Sequence, residues 1–444
     1  MTEAAAAVLA ERGTTPGPVS VDPLHALESF RSERHLLADG APVGELWAPL
    51  SGNYRTADGW VRLHCNYPHH EAAARGLYGD DLAPVLATLP AEQVEWDVLA
   101  AGGAAAALRT PQRWQATRQA TALTTEPLVD LRRVGGGPPR PWPPADRPLT
   151  GIRVLDLTHV IAGPVASRVL AAHGAHVLHV GAAHLPTITP LVIDTGFGKR
   201  STHMDLRDRA WRLALRSLLA DADVLVQSYR PGSLAAKGFG EADLPDNKVL
   251  VSLSAYGHTG PWQTRRGFDS LIQLATGLAW RPDGPPAALP AQALDHATGW
   301  LAAQGVLTAL RRRAVEGGSW HVRVSLARTA QWLDSLGSNV STTPTPAEGF
   351  VESLGCNTSA NHAELDAHVK SLSHNDSVHR VDPSTQNGPG GVGGREESLA
   401  HLMAETPSDF GLIRHVRMPG ELPGSPPHWD HGPRKPGADP AQWW

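Results

Sequence analysis

The sequence predicts an α/β chain: a parallel sheet covered by helices on both faces, with a smaller α+β domain placed before it. Two observations carry this. From Gly151 onward, short apolar runs (IRVLDL, HVLHV, ADVLVQSY, KVLVSLS) alternate with helical stretches, as in a parallel sheet whose strands are buried on both sides. Before Val134 the pattern is instead a hairpin signal and short helices, set off by the Pro-rich segment GGGPPRPWPPADRPL. A chain of 444 residues has ample length for two such domains.

The elements follow in order. Met1 to Pro18 reads as a frayed start, and a helix is expected from about Pro23 to Glu33. Asp58-Gly59 sits between alternating residues and predicts a hairpin, with Tyr54 and Arg55 on one arm and Val61 and Leu63 on the other. Helices are expected near Pro68 to Leu77 and Ala91 to Ala100, closing a small α+β domain over 19–134. The linker over 135–149 leads to the large domain, 150–337. There IRVLDL and HVLHV are strands, and the intervening helix opens at Gly163-Pro164, with proline where no amide donor is needed. Gly198-Lys199-Arg200-Ser201 reads as a basic turn before a strand-like HMDL. A helix near Asp205 to Ala220 precedes the strands ADVLVQSY and KVLVSLS. Residues 338–398 are rich in Ser, Asn, His, Thr, Pro and Gly and read as irregular. Over 399–444, one strand and an extended tail return to the large domain.

Composition narrows the function classes. A net charge of −5, from 39 basic and 44 acidic residues, provides no basic field for nucleic acid. The two cysteines, Cys65 and Cys356, make neither a disulfide framework nor a thiolate metal site, which fits a reducing cytoplasm. The first twenty residues have no basic n-region and an apolar run of only seven, so neither a secretory leader nor a membrane span is expected there. His64, His69 and His70 cluster in HCNYPHH, but Pro68 interrupts the spacing a helical zinc pair uses, and HExxH is absent; no metal is expected. GxSxG, GxxxxGK[ST] and a GxGxxG after the first strand are absent as well.

The residue that invites chemistry is Asp295, in AQALDHATGWLAAQGVLTALRRR, at the mouth of a long apolar helix. An aspartate there is ordinarily an N-cap, accepting an amide hydrogen bond and suiting the helix dipole. A nucleophile at the same place is compatible with a cap, because a helix start also supplies donors for an oxyanion. Thr158, His159 and Val160 follow the first strand, at the sheet edge where open α/β sheets bind ligands. Tyr229, Arg230 and Lys237 combine an aromatic with cations, which suits a nucleotide carrier, although ordinary surface loops look the same.

The segments PLTGIRVLDLTHVIAGP, GKRSTHMDL, ADVLVQSYRPGSLAAKGFG, VSLSAYGHTGPW, GFDSLIQLATGL and ALDHATGWLAAQGVLTAL resemble, in order, blocks of the class III CoA-transferases of CaiB/BaiF type, from Leu149 to about Leu336. That family includes formyl-CoA and carnitine CoA-transferases, with α-methylacyl-CoA racemases as relatives. The resemblance implies a Rossmann-like large domain and a nucleophilic Asp295 that attacks an acyl-CoA and passes through a covalent aspartyl intermediate to a carboxylic acid acceptor. It places the CoA site on His159, Val160, Ile161, Ala162, Lys199, Arg200, Ser228, Tyr229 and Lys237, and an oxyanion hole near Gly257 or the start of the Asp295 helix. CoA is then a substrate, with no tightly bound cofactor, and a cytoplasmic homodimer is implied. The sequence departs from the family pattern where His179-Val180-Gly181 replaces an acidic residue, where Gln227-Ser228-Tyr229 replaces Glu-Asn-Phe, and where Gly198 replaces an asparagine. The segment GNYRTADGWVRLHCNYPHH resembles the family's small domain yet precedes the sheet, which implies a rearranged domain order or the central part of a duplicated ancestor. Two alternatives stay open. A racemase needs acid/base groups on both faces of the α-carbon, and Phe268 stands where racemases carry histidine, leaving His258 or His296. A non-catalytic CoA-binding protein is the other.

Overall fold

The computed structural model describes residues 1–337 and 399–444; the stretch expected to be irregular lies outside the described residues. The N-terminus departs from the expected frayed start. Thr2–Glu11 is a helix, and Ala5, Val8 and Leu9 are fully buried in the same core as Ala302, Val306 and Leu310 of the Ala293–Glu316 helix. Its alanines are strong helix formers, and the Ala5/Val8/Leu9 spacing makes a narrow apolar stripe. Glu11 anchors the end of this helix to Arg311 at 2.6 Å. Asp22 caps the Pro23–Ser29 helix, which stops short of Glu33; a separate 3-10 turn, Ser32–Arg34, carries that residue.

Strands β1 (Leu37–Ala38) and β2 (Ala41–Pro42) form a short antiparallel pair. The Asp58-Gly59 hairpin forms between β3 (Gly52–Arg55) and β4 (Trp60–Leu63), with β5 (Ala105–Ala107) antiparallel to β4. The Pro68–Tyr78 and Ala91–Ala100 helices cover this sheet, burying Val61, Leu63, Ala74, Val94 and Val98.

The large sheet contains β6 (Asp130–Gly135), β7 (Arg153–Leu157), β8 (His176–Gly181), β9 (Lys199–His203), β10 (Val224–Gln227), β11 (Val249–Ser254) and β12 (Ser319–Ser325), in the order β6-β12-β11-β10-β7-β8-β9. All pairs are parallel except β6 against β12, where Asp130 also receives Arg323. The chain runs outward from β7 through β8 and β9 on one side and through β10, β11 and β12 on the other. The switch point therefore lies at the carboxyl ends of β7 and β10. The basic turn expected at Gly198–Ser201 is instead the edge strand β9, whose alternation sends Lys199 inward and Arg200 to the opposite face. Pro164 is the third residue of the Ala162–Ala172 helix, not the first, still within the turn whose amides have no intrahelical acceptor. At the C-terminus two strands form, β13 (Met403–Ser408) and β14 (Gly411–Val416), and β14 pairs with β1. The tail then runs along β9, where the Asp439 amide donates to the Ser201 carbonyl at 2.7 Å.

Candidate active site

Asp295 is the third residue of the Ala293–Glu316 helix and is buried; Gln292 occupies the cap position. The cap chemistry falls to another carboxylate. Asp269, fully buried at the start of the Asp269–Thr276 helix, accepts the Asp295 amide at 2.9 Å and also holds the Gln273 side chain. Asp269 thus satisfies helix-start donors that an N-cap would otherwise take. Among the described residues, no donor reaches the carboxylate of Asp295 itself.

Burial pushes the Asp295 carboxyl well above the usual carboxylate range, and the charges of Asp269 and Glu33 push it further. Burial likewise raises Asp269 to about 6, against the amide and Gln273 donors that lower it. Glu33 goes the other way: burial works to raise it, but its contact with His296, 3.2 Å away, brings it below its ordinary value. The site therefore has three buried carboxyl groups in different electrostatic states, with the proton favoured on Asp295.

The Asp295 helix comes close to the loop after β7 because Gly299 has no side chain. A Cβ there would stand 2.5 Å from the Ala162 carbonyl oxygen and 2.9 Å from Val165. In that loop Val160 has φ of 72°, an outlying conformation for a β-branched residue and a mark of local strain at the site. Val160, Ile188 and Leu191 line two adjoining cavities. One holds Asp295 among Trp47, His64, Ile161 and Phe268, with the exposed Arg34 at its rim. The other, larger one lies at the carboxyl ends of β7 and β8, beside the start of β9, and is lined by Tyr67, Thr158, His159, His179, Lys199 and Arg434.

The residues nominated from the sequence divide accordingly. His159, Val160, Ile161, Lys199 and Asp295 line one cavity or both, and Ala162 begins the helix beside them. Burial lowers His159 to about 4, so its ring is neutral, and its Nε2 is buried without a hydrogen-bond partner among the described residues. Lys199 lines the larger cavity, but its ammonium sits 3.0 Å from Asp156 and donates to the Pro164 carbonyl at 2.7 Å. Arg200 lies over the Trp444 ring at 4.1 Å. Tyr229 stands edge-on to His159 with ring centroids 6.4 Å apart; Ser228 is exposed, and Lys237 ends a 3-10 turn. The Gly257 amide donates to Ser254 at 3.1 Å, away from both cavities.

The sequence reading did not nominate Glu33, Trp47, His64, Tyr67 or Asp269 for this site. The first four come from the N-terminal segment. The signals were present in HCNYPHH and GFDS, but only the fold brings them together. Phe268 lies flat on His64 with centroids 3.6 Å apart, and burial lowers His64 to about 3. Of the histidines considered as a second acid/base group, His258 contacts the Val324 carbonyl at 3.1 Å, and His296 is fully buried against Glu33 and Phe30. Among the described residues, no group of three or more His, Cys, Asp or Glu side chains is placed to hold a metal ion. No described helix is long and apolar enough to cross a membrane.

Residues 149–349 match the family model described as CoA-transferase family III. This stretch of the chain is similar to that family. An acyl-CoA transferase of Gibberella moniliformis is 32% identical over 325 residues, covering 65% of this chain and 56% of that protein. A probable fatty acyl-CoA transferase of Mycobacterium tuberculosis is 34% identical over 208 residues, covering 43% of this chain and 53% of that protein. The chain thus spans little more than half the length of these curated relatives. Among solved structures, a CaiB/BaiF family protein from Brucella suis is 27% identical, with a TM-score of 0.40 over 44% of this chain and 57% of that one. The CoA-transferase family III match contains β7 to β12, Asp269 and Asp295; the residues of the N-terminal segment that enter the cavity lie before it.

Proposed function

We propose that the chain is an acyl-CoA:carboxylate CoA-transferase in which Asp295 is the nucleophile. The observation that carries this is the Asp295 carboxylate: buried in the first turn of its helix, without a donor among the described residues, and open to the cavity that adjoins the switch point. An Oδ of ionised Asp295 attacks the thioester carbonyl carbon, and the carbonyl π pair moves onto oxygen. Collapse breaks the C–S bond, so CoA leaves as a thiolate with the bonding pair and an acyl-aspartyl anhydride remains. The thiolate attacks the aspartyl carbonyl of the anhydride, releasing the donor acid and leaving aspartyl-CoA thioester. The acceptor carboxylate then attacks this thioester carbonyl and expels CoA thiolate, giving a second anhydride. The thiolate attacks the acceptor's carbonyl in that anhydride, forming the product thioester and releasing the Asp295 carboxylate. Division into covalent steps replaces one difficult exchange by easier ones. The racemase alternative is less well supported, because His258 is turned to a backbone carbonyl and Phe268 carries no exchangeable proton. The same reading includes a homodimer in the cytoplasm, and sedimentation at micromolar concentration checks the dimer.

The adduct tests this directly. Incubation with a panel of acyl-CoAs, followed by intact-protein mass spectrometry and peptide mapping, is expected to give an acyl- or CoA-sized mass on Asp295 that hydroxylamine removes. Deuterium washed into the α-carbon of recovered acyl-CoA, with no adduct, decides for the racemase. CoA binding without either signal decides for a non-catalytic protein.

A pH dependence follows from the raised Asp295 pKa. Only the ionised carboxylate attacks, so the single-turnover rate of adduct formation is expected to rise with pH through a transition above the ordinary carboxylate range. Asp269→Asn removes one of the charges that hold the proton on Asp295, and the transition is expected to move to lower pH. A rate profile flat from pH 5 to 8 in both proteins contradicts this.

A further inference from the structure

The transferase reading requires a donor for the oxyanion formed when Asp295 attacks, and the sequence nominated amides near Gly257 and at the start of the Asp295 helix. The fold commits several of these amides. The Gly257 amide donates to Ser254, the Asp295 amide to Asp269, and the His296 amide to the Gln292 carbonyl. His64 lines the Asp295 cavity as a neutral ring, its pKa lowered by burial, and Phe268 covers one of its faces.

A different side chain stands at the junction of the two cavities. Tyr67 lines the larger one together with Thr158, His159 and Val160. Its ring lies 6.1 Å from His64 and 6.0 Å from Phe268, both of which line the Asp295 cavity. His70 meets it edge-on at 5.5 Å, and the Pro68–Tyr78 helix begins at the next residue. Among the described residues the phenol oxygen has no hydrogen-bond partner. Burial, with the charge of Asp295 added, raises this phenol to about 12, so it keeps its proton and can donate across the working pH range.

We infer that Tyr67 is a further catalytic residue, whose hydroxyl donates to the thioester oxygen as the Asp295 attack places negative charge on it. This inference rests on the transferase reading. The phenol gains most when the carbonyl becomes an oxyanion, so it favours the transition state over bound substrate. It is supplied by the N-terminal segment of the same chain, which explains why the CoA-transferase family III match does not contain it.

The test is single-turnover adduct formation with one acyl-CoA, in wild type and Tyr67→Phe. Loss of one oxyanion donor is expected to lower the rate constant about 10²-fold. The KM for acyl-CoA, the affinity for free CoA by titration calorimetry and the melting midpoint are expected to stay near wild type, because the hydroxyl has no partner in the fold. Equal rates in the two proteins overturn the role of Tyr67 and leave Asp295 chemistry standing. A slower variant that loses CoA affinity or thermal stability in proportion also overturns it, showing a structural ring. No adduct in the wild type overturns the transferase reading and the inference with it.

Discussion

Asp295→Asn is expected to abolish CoA exchange, with a loss of about 10⁴-fold or more, and to make the protein more stable at neutral pH. The first effect is the loss of the attacking oxygen. Asparagine has the shape of aspartate but no charge and no nucleophilic carboxylate, so no anhydride forms. The second effect follows from linkage. Burial and the charges of Asp269 and Glu33 raise the folded-state pKa of Asp295 above its unfolded value. The folded chain therefore holds that proton more tightly. Its contribution to stability is complete below the unfolded carboxylate pKa and is lost as pH rises through the folded one. Asparagine has nothing to ionise and escapes this loss. It also removes a negative charge from beside Asp269, letting that residue ionise with less opposition. Melting curves of both proteins at pH 4 and pH 8 check the sign: the variant's advantage should be small in acid and of the order of a few degrees at pH 8. Residual exchange above background would remove Asp295 from the nucleophile's role, and a melting difference independent of pH would show that its proton is not linked to folding.

The large sheet was readable because a strand buried on both faces is written as a continuous apolar run. Thus Val154, Leu155 and Leu157 mark β7, and Val249, Leu250, Val251 and Leu253 mark β11. The Asp58-Gly59 hairpin and the Ala91–Ala100 helix were readable for equally local reasons, turn chemistry in one and helical spacing in the other. Asp295 could be placed at a helix start, but not its bonding there. The cap is supplied by Asp269, 26 positions earlier, and no short-range pattern reports that. The N-terminal helix was hidden because a run of alanines gives little amphipathic contrast; its burial depends on the Ala293–Glu316 helix nearly three hundred positions away. Glu33, His64 and Tyr67 were hidden for the same reason. Each is an ordinary polar residue until the N-terminal segment folds over the switch point. The strand β9 was missed because a lysine at its first position argues for solvent, and only Asp156, 43 positions earlier, makes that lysine compatible with the interior.

Lys199→Met is expected to act on stability rather than on CoA affinity. The family resemblance nominated Lys199 as a CoA contact, yet its ammonium is buried between Asp156 and the Pro164 carbonyl. Asp156 is fully buried and also bonded by Thr158 and Ser167. Burial alone would raise its pKa, but Lys199, His179 and the two hydroxyls bring it down to about 2. Removing Lys199 leaves that carboxylate without its counter-charge in the interior, at a cost of about 3–5 kcal/mol. A depressed carboxylate contributes stability above its unfolded pKa and loses it as pH falls through the folded value. The deficit of Lys199→Met is therefore expected to be largest near neutral pH and to narrow in acid, where Asp156 can take up a proton. Pairing it with Asp156→Asn, which removes the uncompensated charge, should recover part of the loss. Urea denaturation of the three proteins at pH 4 and pH 7 measures both effects, and KM for acyl-CoA separates the two roles. A variant with unchanged stability and a KM raised tenfold or more would mean that the ammonium leaves Asp156 to meet a phosphate. A large stability deficit with KM near wild type assigns Lys199 to holding β9 against β7, at the floor of the cavity, and leaves phosphate recognition to other groups.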